Sequence, residues 1–184
     1  MEKLSPIGWA IRPLKNYAKF SGRASRAEFW WFFLFVMVAY AGALFALGAS
    51  LATFIRSAPA QSLSMNGGVG LAFGFIGLFW TGLFIPMLAV QVRRLHDTNR
   101  SGWWLGAFWL LYPIYMMLLV GTTVTRGAEG PTQGVGIAIA AAIFALAMFC
   151  LSIVLLVFFC LRGTEGPNRF GDDPYGESVA EVFA

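Results

Sequence analysis

Four long apolar stretches separated by short polar ones set the pattern of this chain. Phe29 to Ile55 carries no charged residue over 27 positions, and Val69 to Val92 carries none over 24. Trp103 to Val120 adds 18 more, and Val135 to Leu161 another 27. At 1.5 Å per residue these runs make about 27 to 40 Å of helix, against a hydrocarbon core of about 30 Å. The pattern predicts an all-α integral membrane protein with four transmembrane helices. Pro86 falls inside the second run and should kink it, and Pro113 falls inside the third. The linkers Arg56 to Gly68 and Gly121 to Gly134 read as small polar loops.

The ends differ in character. Residues 1–28 are basic and form a cytoplasmic or interfacial segment, in which Ile7, Ile11, Leu14 and Tyr17 recur at helical spacing with Trp9 nearby. Pro13 should break that helix. Residues 29–161 form the transmembrane domain. Residues 162–184 form a polar tail in which Gly171-Asp172-Asp173-Pro174 reads as a turn. The two halves, each a pair of spans, show no residue-level repeat.

Composition agrees with the pattern. Hydrophobic residues make up 58% and charged residues 12%, where soluble domains carry about 45–50% and about 25%. A net charge of +4 scattered among apolar runs does not make a nucleic-acid binder. Cys150 and Cys160 stand ten residues apart in one apolar run, about 15 Å along a helix. That is too far to bridge, so they read as small hydrophobes. The first apolar run is longer than the core of a cleavable signal and should remain as an anchor.

Lysine and arginine set the orientation. Lys3, Arg12, Lys15, Lys19, Arg23, Arg26, Arg93, Arg94, Arg100, Arg162 and Arg169 fall on one side, and only Arg56 and Arg126 on the other. Eleven against two predicts a multi-pass protein with both termini and the central loop in the cytoplasm. The polar chemistry then converges on one surface. GRASRAEFWW (22–31) enters the first span there, RRLHDTNRSGWW (93–104) joins the second to the third, and LRGTEGPNRFG (161–171) leaves the fourth.

These three motifs, with FGDDP closing the last, resemble the DUF805 family of small bacterial inner-membrane proteins. The likeness runs from about Phe20 to Pro174, and its characteristic positions are all present. It implies a multi-span inner-membrane protein and carries no activity with it.

The motif residues admit several readings. Arg93 and Arg94 can serve as positive-inside anchors, and Trp30, Trp31, Trp103 and Trp104 as an interfacial aromatic belt. His96, Asp97 and Glu28 are left over. The first account is a structural ion-pair network, with Asp97 and Glu28 pairing among Arg23, Arg26, Arg93 and Arg94 to clamp the cytoplasmic helix ends. The second is an anion site in which arginine forks hold phosphate, helped by Ser25, Ser101, Thr98 and Asn99, with anionic membrane lipids as ligands. The third is an enzyme using His96 as a base or phosphoryl acceptor. Against it, Asp97 projects about 100° away along a helix and cannot orient the ring as in a triad. One histidine with no nearby cysteine also gives no zinc set, and no cofactor or metal is implied. Transport by an oligomer is a further alternative, although the spans carry no ionisable group. Small-residue faces at Gly70, Gly74, Gly136 and Ala140 allow a homo-oligomer, and a protein partner at the basic surface is the remaining candidate. The preferred reading is a non-enzymatic inner-membrane protein whose arginine-rich site is structural and binds anionic lipid or a protein partner.

Overall fold

The computed structural model describes residues 5–57, 68–128 and 135–175. Every regular element among them is a helix: α1 (Pro6–Lys15), α2 (Arg26–Ser57), α3 (Gly68–Asp97), α4 (Trp103–Ala128) and α5 (Val135–Cys160). Helices α2, α4 and α5 each contain a described stretch long and apolar enough to cross a bilayer. Helix α3 has 30 residues, about 45 Å of length.

The caps follow local chemistry. Ser5 caps α1 by accepting the Gly8 N–H, and Pro6 occupies the first helical position, where its missing N–H costs nothing. Ser25 does the same for α2, accepting the Glu28 N–H at 3.1 Å. Helix α3 ends in a Schellman turn: Arg100 N–H reaches the Leu95 carbonyl, Asn99 N–H reaches that of His96, and Asn99 takes φ 56°. Asparagine is the residue after glycine that tolerates this left-handed position best.

Several boundaries differ from expectation. Arg93 to Asp97 lie not in a loop but in the last turn of α3, because nothing in that segment breaks a helix before Asn99. Helix α4 runs on through Gly121 to Ala128 rather than stopping at Val120. Helix α1 continues through Pro13, which sits near its C-terminal end, so only one intrahelical bond is lost and the ring is buried instead. The tail makes a tight turn at Asn168 to Gly171, whose backbones exchange two hydrogen bonds, and bends again at Asp172, within the Gly171–Pro174 stretch read as a turn.

The main buried cluster among the described residues lies at one end of the bundle. Alternation of direction brings together the starts of α2 and α4 and the ends of α3 and α5, where Phe29, Phe32, Val90, Leu95, Leu105, Leu155 and Phe159 cluster. Elsewhere large apolar side chains face outward, Phe45 at 80% and Met117 at 71% exposure, as on a lipid-facing surface. Burying Phe32 from water would contribute about 1.5–3 kcal/mol. Between lipid and protein that gain largely vanishes, so close packing and polar contacts carry more of the association. The polar cluster beside this core therefore has structural weight.

Candidate functional site

Asp97 is the centre of the cluster and is wholly buried. It closes α3, where the helix dipole disfavours a negative charge, so its burial requires cations. Two arginines supply them. Arg23, just ahead of α2, donates from Nε to Asp97 Oδ1 at 2.9 Å, with Nη2 equally near. Arg94, one turn back on α3, pairs with Asp97 Oδ2 through Nη1. Burial pushes the Arg94 guanidinium down from its usual range, and the Asp97 charge opposes that shift.

The remaining arginine donors reach main-chain carbonyls. Arg23 donates from Nη1 to Gly166 O and from Nη2 to Thr164 O, both at 2.5 Å. Arg94 donates from Nε to Phe159 O at 3.2 Å and from Nη2 to Leu161 O, satisfying carbonyls that the end of α5 leaves open. The chain leaving α5 returns the service. Thr164 donates its N–H and hydroxyl to Asp97 O, the Asn168 amide donates to His96 O, and Arg169 reaches Asn99 O. Each helix end is thus capped by the other segment. Asp173 stands 3.9 Å from Arg23 and accepts the Gly166 N–H.

Gly163 stands where this weave is tightest. A Cβ added there would overlap the Asp97 carboxylate. Only hydrogen fits.

A second cluster sits on the neighbouring face of α3. Arg93 Nη1 lies 2.8 Å from Glu28 Oε1, close enough for an ion pair but not aligned as a hydrogen bond, since that oxygen has no hydrogen-bond donor. Arg12 of α1, half exposed, stands 3.8 Å from Glu28 Oε2. Arg93 is only 4% exposed, yet its Nε and Nη2 donors have no acceptor among the described residues. Two cations face one carboxylate here.

His96 is half-buried and turned away from Asp97. Its ring stacks on Phe170 at 3.9 Å between centroids and 2° between planes, and Nδ1 lies 3.2 Å from Gly22 O. Burial holds its pKa below 6.5, opposed by the Gly22 contact and aided by the Arg169 charge. The neutral ring therefore carries its proton on Nδ1, donated to Gly22 O.

Of the residues singled out in the sequence, Arg23, Glu28, Arg93, Arg94, His96 and Asp97 lie together. Arg26 is exposed, and Ser101 caps the start of α4 instead. Trp30 packs toward the core beside Phe29 and Phe33, while Trp31, Trp103 and Trp104 are exposed. Neither Arg93 nor Arg94 is an outward-facing anchor. Gly136 meets open space and Ala140 is exposed; the surroundings of Gly70 and Gly74 lie outside the described residues. Sequence reasoning passed over Arg12, Gly163, Thr164, Asn168 and Asp173 as site residues. The last four stand in or beside the LRGTEGPNRFG motif, but their partners become visible only once the chain is folded.

Apolar helices with their ionisable groups gathered and buried at one end define an all-helical membrane protein. The chain belongs to the family described as "Protein of unknown function (DUF805)", whose model matches residues 17–172. Among its relatives, Inner membrane protein YhaI of Escherichia coli (strain K12) is 32% identical over 166 residues, 90% of this chain and 94% of its own. Inner membrane protein YhaH of the same organism is 31% identical over 170 residues, 91% and 97% of the two chains. Uncharacterized protein YiiR is 30% identical over 160 residues, 84% of each. No solved structure matches. The family and the apolar helices make this an inner-membrane protein.

Proposed function

We propose a four-span, non-enzymatic inner-membrane protein with both termini cytoplasmic, whose polar end is a structural lock with one open position. In this reading Arg23, Asp97, Arg94 and the tail are closed to ligands, and Arg93 takes the phosphate of an anionic lipid headgroup. Helix α3 counts as the fourth span on its length and on the uncharged run Val69 to Val92. The eleven-to-two distribution of lysine and arginine supports the orientation.

One observation carries the ligand reading. Arg93 is buried with two guanidinium nitrogens unmatched among the described residues, whereas each Asp97 oxygen faces an arginine. An unmade hydrogen bond to a buried charged group costs upward of 1–3 kcal/mol, and phosphate oxygens suit the planar fork. The enzyme reading has less behind it, because a backbone carbonyl and not Asp97 orients the His96 ring.

The test is native mass spectrometry of the protein in mild detergent beside Arg93→Lys. Lysine keeps a charge opposite Glu28 but lacks the fork. The wild type should retain a phosphate-bearing lipid, and the variant should lose most of it while keeping its thermal midpoint within a few degrees. Equal retention by both, or by neither, overturns the Arg93 site; a retained protein would assign the surface to a partner. The orientation has its own check: a reporter fused after Ala184 should be active in the cytoplasm, and a periplasmic signal would refute it.

A further inference from the structure

The bundle is not closed evenly. Among the described residues the backbone of α4 packs chiefly along α5, with far less approach to α2 and α3. Long side chains bridge the gap, among them Phe84 meeting Trp109 edge-on at 4.8 Å. Clefts of about 230, 220 and 290 Å³ lie among the described residues there. Trp109 lines all three, and Gln91 lines the first two. An apolar cavity of about 150 Å³ already accepts a small hydrocarbon, so each has room for a length of acyl chain.

Two polar groups interrupt these apolar walls. The Trp109 Nε1–H is buried and has no acceptor among the described residues. The Gln91 amide, half-buried, is the polar side chain on the walls of the first two clefts. Within a bilayer no water is at hand, and each unsatisfied group costs several kcal/mol. The indole only donates, so what completes it must bring an acceptor oxygen on an otherwise apolar body.

Depth narrows the choice. Gln91 lies six residues before the end of α3, and Trp109 six residues after the start of α4, each about 9 Å from the polar end. The interfacial layer of a bilayer is about 5–7 Å thick on each side, from the difference between its total and hydrocarbon thickness. The pair therefore lies just inside the hydrocarbon boundary, the level of the ester linkages of a phospholipid.

We propose that the clefts around Trp109 hold an acyl chain of a phospholipid, whose ester carbonyl accepts hydrogen bonds from Trp109 Nε1 and the Gln91 amide. Gln91 and Arg93 are two residues apart on one helix and project about 200° apart, so a lipid at Arg93 is a different molecule. The inference uses the same membrane orientation as the proposed function but does not depend on the Arg93 site.

The protein in mild detergent is titrated with dioleoyl phosphatidylglycerol and, separately, with its diether analogue, which has the same chains and headgroup but no carbonyl. Native mass spectrometry counts bound molecules. The ester lipid should bind about tenfold more tightly than the ether, one buried hydrogen bond's worth. The preference should fall toward parity in Trp109→Phe and in Gln91→Leu and persist in Arg93→Lys. Equal binding of ester and ether by the wild type overturns the proposal without reliance on any variant. So does a preference lost in Arg93→Lys alone, or a phosphate-free lipophile occupying the clefts in place of the phospholipid. A failed Arg93→Lys test leaves the ester preference standing, which separates the two ideas.

Discussion

Gly163 lies against the carboxylate of Asp97 with no room for a methyl group between them. Its φ is not in the left-handed region, which among the described glycines holds Gly22, Gly166 and Gly171. Space, not backbone freedom, is what glycine supplies here.

Gly163→Ala should therefore be more harmful than Gly166→Ala, where φ is 72° but a Cβ meets nothing. Overpacking costs about 1–3 kcal/mol, and displacing a buried carboxylate from two arginines adds to it. The left-handed penalty at Gly166 is about 1–2 kcal/mol. Thermal midpoints in one detergent compare them, and a Gly166→Ala midpoint at or below that of Gly163→Ala contradicts the packing argument.

Asp97→Asn leaves Arg23 and Arg94 buried without a counter-charge. A loss of about 3–5 kcal/mol is expected, seen as poor accumulation in the membrane and a collapsed thermal midpoint. Glu28→Gln should be milder, because Arg12 beside it is half exposed. Equal losses in the two variants would mean that the clusters are not ranked as their burial indicates.

His96 confers pH dependence on the tail. Its pKa is depressed while Phe170 stacks on it, so release of the tail favours proton uptake. The docked tail is fully stabilised above about pH 6.5, the ordinary value, and weakens as pH falls toward the depressed one. Proteolysis of residues 162–175 should be slow at pH 8 and faster near pH 5.5. In His96→Gln the pH difference should disappear; if it persists, another group is responsible.

Asn99 holds the left-handed position that ends α3. Asn99→Gly should leave stability within a few tenths of a kcal/mol, and Asn99→Val should cost more than 1 kcal/mol because a branched Cβ is crowded there. Comparable midpoints for both would show that the Schellman turn is not limiting.

The apolar runs made the helices legible, since uninterrupted stretches of 18 or more residues have few other structures open to them. The concentration of polar residues at one end was legible for the same reason: helices that alternate in direction return every second junction to the same end. Partner choice was not. The sequence lists Arg23, Arg26, Arg93 and Arg94 as equals, yet adjacent positions on α3 project about 100° apart. That angle sends Arg94 to Asp97 and the exit from α5, and Arg93 to Glu28 of α2. The run through Arg93 to Asp97 looked like a loop because it is charged, although each of those residues is acceptable to a helix once its charge is paired. Gly163, in turn, resembles any other tail glycine until the path of the chain leaving α5 is known.

The arginines of the lock grip the exit from α5 by the carbonyls of Phe159, Leu161, Thr164 and Gly166, atoms that every residue type provides. Recognition of main chain is indifferent to the letters of the text it holds. Sequence change at Leu161, Arg162, Glu165 and Pro167 can therefore accumulate without loosening the grip, leaving this segment free to acquire new surface chemistry. The freedom ends at Gly163, at Gly166 with its left-handed backbone, and at Thr164 and Asn168, whose side chains hydrogen-bond the end of α3.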